Sequence, residues 1–163
     1  MVHDPKPRSI HKAMVRDRLL HQAIYRLIYP SFDPSYIYDS YSCRDNKSTH
    51  RAFQQLVRYC RKVSRNHTSA CFALQMDIHK IFDSIDHNVL MSLLQKRIAY
   101  PKVLELLKNI LRSFEYTSGK GLPLGNLTSQ LFANVYMDPL DKLVKHHLKA
   151  KYYLQHLLPI WGI

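Results

Sequence analysis

The stretch Cys71-Phe72-Ala73-Leu74-Gln75-Met76-Asp77-Ile78-His79-Lys80-Ile81-Phe82 constrains this chain more than any other. A short apolar run reaches a single acidic residue, Asp77, and a basic and an aromatic residue follow within five positions. Short apolar runs of this kind suit a strand. A strand over 71–77 would carry a carboxylate at its tip, where it can meet a metal ion. The chain would then turn to cradle a phosphate. A second segment, Gly121-Leu122-Pro123-Leu124-Gly125-Asn126-Leu127-Thr128-Ser129-Gln130, lies at a distance along the chain that lets it complete one site with the first.

With 163 residues the chain is long enough for one domain with a real core. Lys and Arg number 24 against 12 Asp and Glu, a net charge of +12. The surplus is uneven. Residues 1–65 hold 13 basic and 5 acidic residues, and the remainder hold 11 and 7. A basic front half favours a polyanionic partner, most simply nucleic acid; the plainer alternative is a solvated basic surface. Cys43, Cys60 and Cys71 are odd in number and lack a CxxC spacing, so they indicate neither a zinc site nor a disulfide framework. A reducing cytoplasm is the expected compartment. The first thirty residues alternate charged and apolar positions, unlike a signal peptide. No apolar run approaches the roughly 18 residues of a membrane span.

Residues 1–15 read as an extended basic arm, with Pro5 and Pro7 opposing early helix. Leu19, Leu20, Ala23, Ile24, Leu27 and Ile28 keep a helical stripe that Pro30 is expected to stop. Ser48 or Thr49 can cap a helix whose apolar face is Ala52, Phe53, Leu56, Val57 and Cys60. Asp86 can cap another that uses Leu90, Leu93, Leu94 and Ile98. Pro101 suits the first turn of a third, bearing Val103, Leu104, Leu107, Ile110 and Leu111. Thr128 or Ser129 opens a helix through Asn134 and Tyr136, which Asp138-Pro139 breaks or restarts. Lys151 to Leu154 reads as the start of a strand. Helices dominate, and the expected class is α+β.

Nucleotidyl transfer commonly uses two divalent ions roughly 3.5–4 Å apart to align the attacking hydroxyl and neutralise the triphosphate. Magnesium prefers carboxylate and phosphate oxygens. Asp77 at a strand end would hold Mg²⁺ rigidly, and the Ile78 carbonyl could add a ligand. An Asp capping the next turn is the plainer reading. Asp83 and Asp86 fit turn and helix-cap roles better than metal binding.

Four blocks in order then resemble a reverse transcriptase of the bacterial retroelement type, similar to group II intron and diversity-generating retroelement enzymes. They are Lys6-Pro7-Arg8-Ser9-Ile10; Asp39 to Arg44 with Lys47 to Ala52; Asp77 to His87; and Lys120 to Asn134. The resemblance implies the fingers and partial palm of a right-hand polymerase over residues 1–154, with an incomplete antiparallel palm sheet. It implies Asp77 as the first metal ligand and Phe82 as a steric gate that disfavours a 2′-hydroxyl by clash. Backbone N–H groups near Lys80 and Ile81 would face the triphosphate. Lys6, Arg8 and Arg44 would meet triphosphate or template, and Leu124 and Gly125 would lie beside the nucleotide. Lys47, Gly121, Pro123, Asn126, Ser129 and Gln130 would contact nucleic acid. Implied partners are an RNA template, a DNA or RNA primer, deoxynucleoside triphosphates and an accessory protein of a retroelement. Where many reverse transcriptases carry Gln-Gly, this chain has Leu124-Gly125, and Ser129-Gln130 stands in place of Ser-Pro. This form resembles the diversity-generating branch and implies less strict copying.

The family's Tyr-x-Asp-Asp block would follow Lys151-Tyr152-Tyr153-Leu154. Here Gln155-His156-Leu157-Leu158-Pro159-Ile160-Trp161-Gly162-Ile163 follows instead, and no acidic residue lies after Asp141. Residues 155–163 therefore read as an aberrant tail. Asp138 and Asp141 are expected to face solvent, Mg²⁺ binding to be weak at most, and the isolated chain to be inactive. Two other readings stand beside this one: a non-catalytic basic RNA-binding module, and a relic without function.

Overall fold

The computed structural model describes residues 14–113, 117–123 and 125–156. Its elements are α1 (Val15–Phe32), α2 (Thr49–Val63), α3 (Ile81–Ser84), α4 (His87–Gln95), α5 (Pro101–Arg112) and α6 (Leu127–Lys142), the last passing into a π-helical turn at Leu143–His147. The described residues divide into two compact units. One takes those between 14 and 35 and between 80 and 139, the other those between 36 and 79 and between 140 and 156.

The helix starts follow local chemistry. Ser48 Oγ accepts the Arg51 N–H at 3.3 Å, and the Asp86 carboxylate accepts from Asn88 and Val89 at 2.9 and 3.1 Å. Each satisfies N–H groups that a first helical turn leaves without partners. Pro101 opens α5, where its missing N–H costs nothing.

Prolines near helix ends act more weakly than expected. α1 continues through Pro30 to Phe32, and the Asp33 N–H closes it on the Tyr29 carbonyl. α6 likewise runs through Pro139 to Lys142. A proline in the last turn removes one donor but leaves the preceding turns intact.

The first unit has an apolar core. Ile85, Leu90, Leu94 and Leu107 are wholly buried, joined by Leu111, Leu131 and Phe132. α4 packs against α5. In α1 the buried side is His21, Ile24, Ile28, Tyr29 and Phe32. Only Ile24 and Ile28 belong to the expected stripe, and Leu19 and Leu27 stand 67% and 65% exposed. Tyr29 and Phe32 offer more apolar area than the leucines, and the helix turns them inward. Buried His21 Nδ1 shares a 2.8 Å hydrogen bond with Thr128 Oγ1, tying α1 to α6.

The second unit is held differently. Tyr36, Ile37, Tyr41 and Ala52 are buried beside the polar residues Asp39, Ser40, Ser42, Ser64, Asp141 and Gln155. Of the tyrosines at the start of this unit, Tyr36 and Tyr41 pack inward, whereas Tyr38 is exposed.

The expected sheet does not form among the described residues. Their β structure is limited to isolated bridges: Ser40 with Gln155 (parallel), and Asp86 with Lys120 and Thr117 with Lys120 (both antiparallel). Residues 70–78 are neither helix nor strand, and Phe72, Leu74 and Met76 are 93%, 85% and 71% exposed. Lys151 and Tyr152 make a turn instead of opening a strand. A strand needs a neighbour to take up its N–H and C=O groups, and none lies alongside 71–77 among the described residues. The described chain is helix-rich, as expected, and the palm sheet is not seen among the described residues.

Candidate nucleotide and nucleic-acid site

In the first unit, Phe82 and the loop before α6 come together through backbone. The Leu122 N–H donates to the Phe82 carbonyl at 2.8 Å, and the Gly121 N–H donates to the Ile85 carbonyl at 2.9 Å. The His87 N–H reaches the Gly119 carbonyl at 2.9 Å, and His87 Nε2 lies 2.7 Å from the Gly121 carbonyl. A carbonyl only accepts, so Nε2 carries the proton. The turn that feeds this contact needs a left-handed residue, supplied by Gly119 at φ 71°. Phe82 to His87 of one block and Gly121–Leu122 of the other, far apart in sequence, are thus adjacent in this unit.

Within that frame Phe82 and Ile81 are half-buried and Lys80 is exposed. Lys80 takes a left-handed φ of 50°, and its carbonyl receives the N–H groups of Asp83 and Ser84 and the Ser84 hydroxyl, at 3.0, 3.1 and 2.9 Å. This tight turn points the chain into α3. Gly121, Pro123, Asn126 and Ser129 are buried, Gln130 is half-buried, and Gly125 is exposed. Burial makes the first four the frame of the loop, with Gly125 and Gln130 nearer its surface. The Asn126 amide nitrogen is buried with no hydrogen-bond partner among the described residues.

Asp77 lies in the second unit, in the exposed segment that lacks a strand partner, and Ile78 beside it is 44% exposed. No group of three or more His, Cys, Asp or Glu side chains able to hold a metal ion occurs among the described residues. The expectation of solvent-facing acids on α6 needs correction, because Asp141 is 3% exposed and accepts the Tyr153 hydroxyl at 2.6 Å. Burial and that bond push the Tyr153 phenol above its ordinary range.

Arg44 and Lys47, also in the second unit, take part in local contacts. Arg44 Nη1 donates to the Ile37 and Ser40 carbonyls at 3.0 Å each, and the guanidinium lies 5.2 Å from the centre of the Tyr36 ring. Lys47 Nζ donates to the Tyr38 carbonyl at 2.7 Å and sits 3.8 and 4.8 Å from the Tyr38 and Tyr41 rings. These are cation–π distances. Both cations brace the 36–47 loop. Lys6, Arg8 and Leu124 lie outside the described residues.

Sequence reasoning overlooked two residues of this unit. The buried Asp39 carboxylate accepts from the Tyr59 hydroxyl at 2.7 Å, Lys145 Nζ at 2.9 Å and Gln55 Nε2 at 3.5 Å. Gln155, the first residue of the expected tail, is buried. Its N–H donates to the Asp39 carbonyl, its own carbonyl receives the Tyr41 N–H, and its amide oxygen receives the Ser40 hydroxyl, all at 3.0 Å. A lone Asp beside a Ser announces neither role, since Asp39 depends on partners 16, 20 and 106 residues away and Gln155 on residues 39–41.

The family profile described as reverse transcriptase (RNA-dependent DNA polymerase) matches residues 3–157, and the chain belongs to this family. It is 28% identical over 153 residues to the group II intron-encoded protein LtrA of Lactococcus lactis subsp. cremoris, covering 90% of this chain and 24% of that protein. It is also 24% identical over 144 residues to the putative COX1/OXI3 intron 2 protein of Saccharomyces cerevisiae, covering 84% and 16%. Against protein YkfC of Escherichia coli K12 the identity is 23% over 153 residues, covering 90% and 40%. The chain thus spans between 16% and 40% of the length of these relatives. No helix among the described residues is long and apolar enough to cross a membrane.

Proposed function

We propose that these residues form the fingers and part of the palm of an RNA-directed DNA polymerase, which adds deoxynucleotides to a primer 3′ end on an RNA template. The observation that carries this reading is the family match over residues 3–157. The backbone pairing of Phe82 and Ile85 with Leu122 and Gly121 supports it, because it joins two of the family's blocks. Asp77 supplies the first carboxylate, Phe82 limits the sugar, and Gly125 and Gln130 present the loop to nucleic acid. The intact family chemistry draws on Mg²⁺. The described residues do not enclose such an ion, and these 163 residues contain no Tyr-x-Asp-Asp sequence. We therefore expect the chain alone to give only background primer extension. A chimera tests the parent activity: residues 3–157 replace the matching stretch of the Lactococcus protein, and primer extension on RNA is measured. Extension that Asp77→Ala abolishes supports the reading. Extension that Asp77→Ala leaves intact overturns it.

A non-catalytic RNA-binding role is the second reading, favoured by the exposure of Asp77. Salt-dependent RNA binding by the chain, together with an inactive chimera, would select it.

A further inference from the structure

Between Asp45 and Asp77 the sequence contains no acidic residue, yet it holds Lys47, Arg51, Arg58, Arg61, Lys62 and Arg65. Four of these six cations, Arg51, Arg58, Arg61 and Lys62, lie on α2. At 100° per residue, Arg51, Arg58 and Lys62 fall within about 40° of one another around the helix, with Arg61 flanking them. All four are exposed, as is Arg65 just beyond the helix end. Arg51 Nη1 donates to the Asn46 carbonyl, and Arg58 Nη1 lies 3.4 Å from Gln55 Oε1. None of the five pairs with a carboxylate among the described residues. Gln55, Arg58, Tyr59, Arg61 and Lys62 line an open groove of about 440 Å³.

The loop that follows is built rather than loose. Arg65, Asn66 and His67 take successive positive φ values of 48°, 57° and 69°. Three such residues in a row are unfavourable unless held. Buried Ser64 holds them: its Oγ accepts the His67 N–H, and its carbonyl accepts the N–H groups of Thr68 and Ser69, each at 2.9 Å. This fixes Arg65 just beyond Lys62. Cations near a helix C-terminus also complement its dipole, which would suffice for Arg61 and Lys62. It does not account for Arg51 and Arg58, which lie outside the last turn.

A ridge of cations without intervening carboxylates is complementary to a row of phosphates. From Arg51 to Lys62 the helix advances about 16 Å, enough to follow several successive phosphates. We propose that this face of α2, with Arg65, grips the phosphate backbone of RNA, through residues other than those assigned to copying. The choice of RNA over other polyanions rests on the reading above. Tyr59 is not a base-stacking platform here, because its hydroxyl is bound to Asp39 and its ring meets Tyr152 edge-on at 5.1 Å. The contact is to backbone, and binding should depend on charge and be indifferent to base sequence.

Anisotropy titrations of the 163-residue chain with a labelled RNA hairpin, between about 50 and 200 mM salt, test this. The triple variant Arg58→Ala, Arg61→Ala, Lys62→Ala should flatten the slope of log affinity against log salt by about 2 to 3. A control removes three exposed cations from α5 (Lys102→Ala, Lys108→Ala, Arg112→Ala), which changes net charge equally, and should leave the slope nearly unchanged. The charge-keeping variant Arg58→Lys, Arg61→Lys should bind like the original chain. Equal flattening in both triple variants, no flattening in the α2 triple, or collapse of binding in the charge-keeping variant overturns the proposal. Asp77→Ala should not move the slope, so a failed polymerase reading and a failed α2 reading give different results.

Discussion

At the scale of single residues, the second unit depends on one buried acid. Asp39 is 3% exposed and gathers a phenol and an amide from α2 and an ammonium from Lys145. Burial first, and the bond to Asp39 second, push the Tyr59 phenol up to about 12. Asp39→Ala leaves these donors without their acceptor and should cost about 2–3 kcal/mol, read as a lower urea midpoint. The Lys145 side chain is 22% exposed and regains some hydration, which holds the cost below that of a fully buried pair. His21 gives the pH counterpart in the first unit. Burial lowers its pKa from 6.5, against a weaker upward pull from Asp17. The unfolded chain then binds the proton more readily than the folded one. Stability is therefore full above pH 6.5 and declines as pH falls towards the folded pKa. Thermal melts from neutral to mildly acidic pH should show this decline, and His21→Gln should flatten it.

At the scale of elements, local rules predicted the helices well. Ser48, Asp86 and Pro101 act through groups within three residues of themselves, so their roles are visible without knowledge of the fold. Buried faces were less legible. Leu27 and Ile28 are both good core candidates, and only the neighbours of α1 decide that Ile28 is 3% exposed and Leu27 65%. The segment 71–77 is the sharpest case. Its composition asks for a strand, but strand structure belongs to a pair, and no partner is present among the described residues. Amide exchange should be close to intrinsic rates across residues 70–79, while amides of α4 and α6 stay protected. Strong protection at Leu74 and Met76 would show that a partner strand is present in solution.

At the scale of the whole molecule, the family blocks fall in both units: Asp77, Arg44 and Lys47 in one, Phe82 and the Gly121 loop in the other. The sequence reading placed a boundary after Leu154, yet Gln155 is bound through both backbone groups and its side chain to residues 39–41. A chain shortened to Leu154 should lose the three hydrogen bonds of Gln155 and the Thr49–His156 bond, and a lowered melting temperature for the second unit would register it. The order of the blocks, the caps, the +12 charge and the acid-free stretch of α2 were set by the sequence alone, because each depends on residue identity or on near neighbours. Tertiary structure alone decided that Asp39 is a buried acceptor, that Gln155 belongs to the interior, and that the run ending at Asp77 stays exposed. Each of these turns on groups brought together from distant parts of the chain, and no local pattern encodes such a meeting.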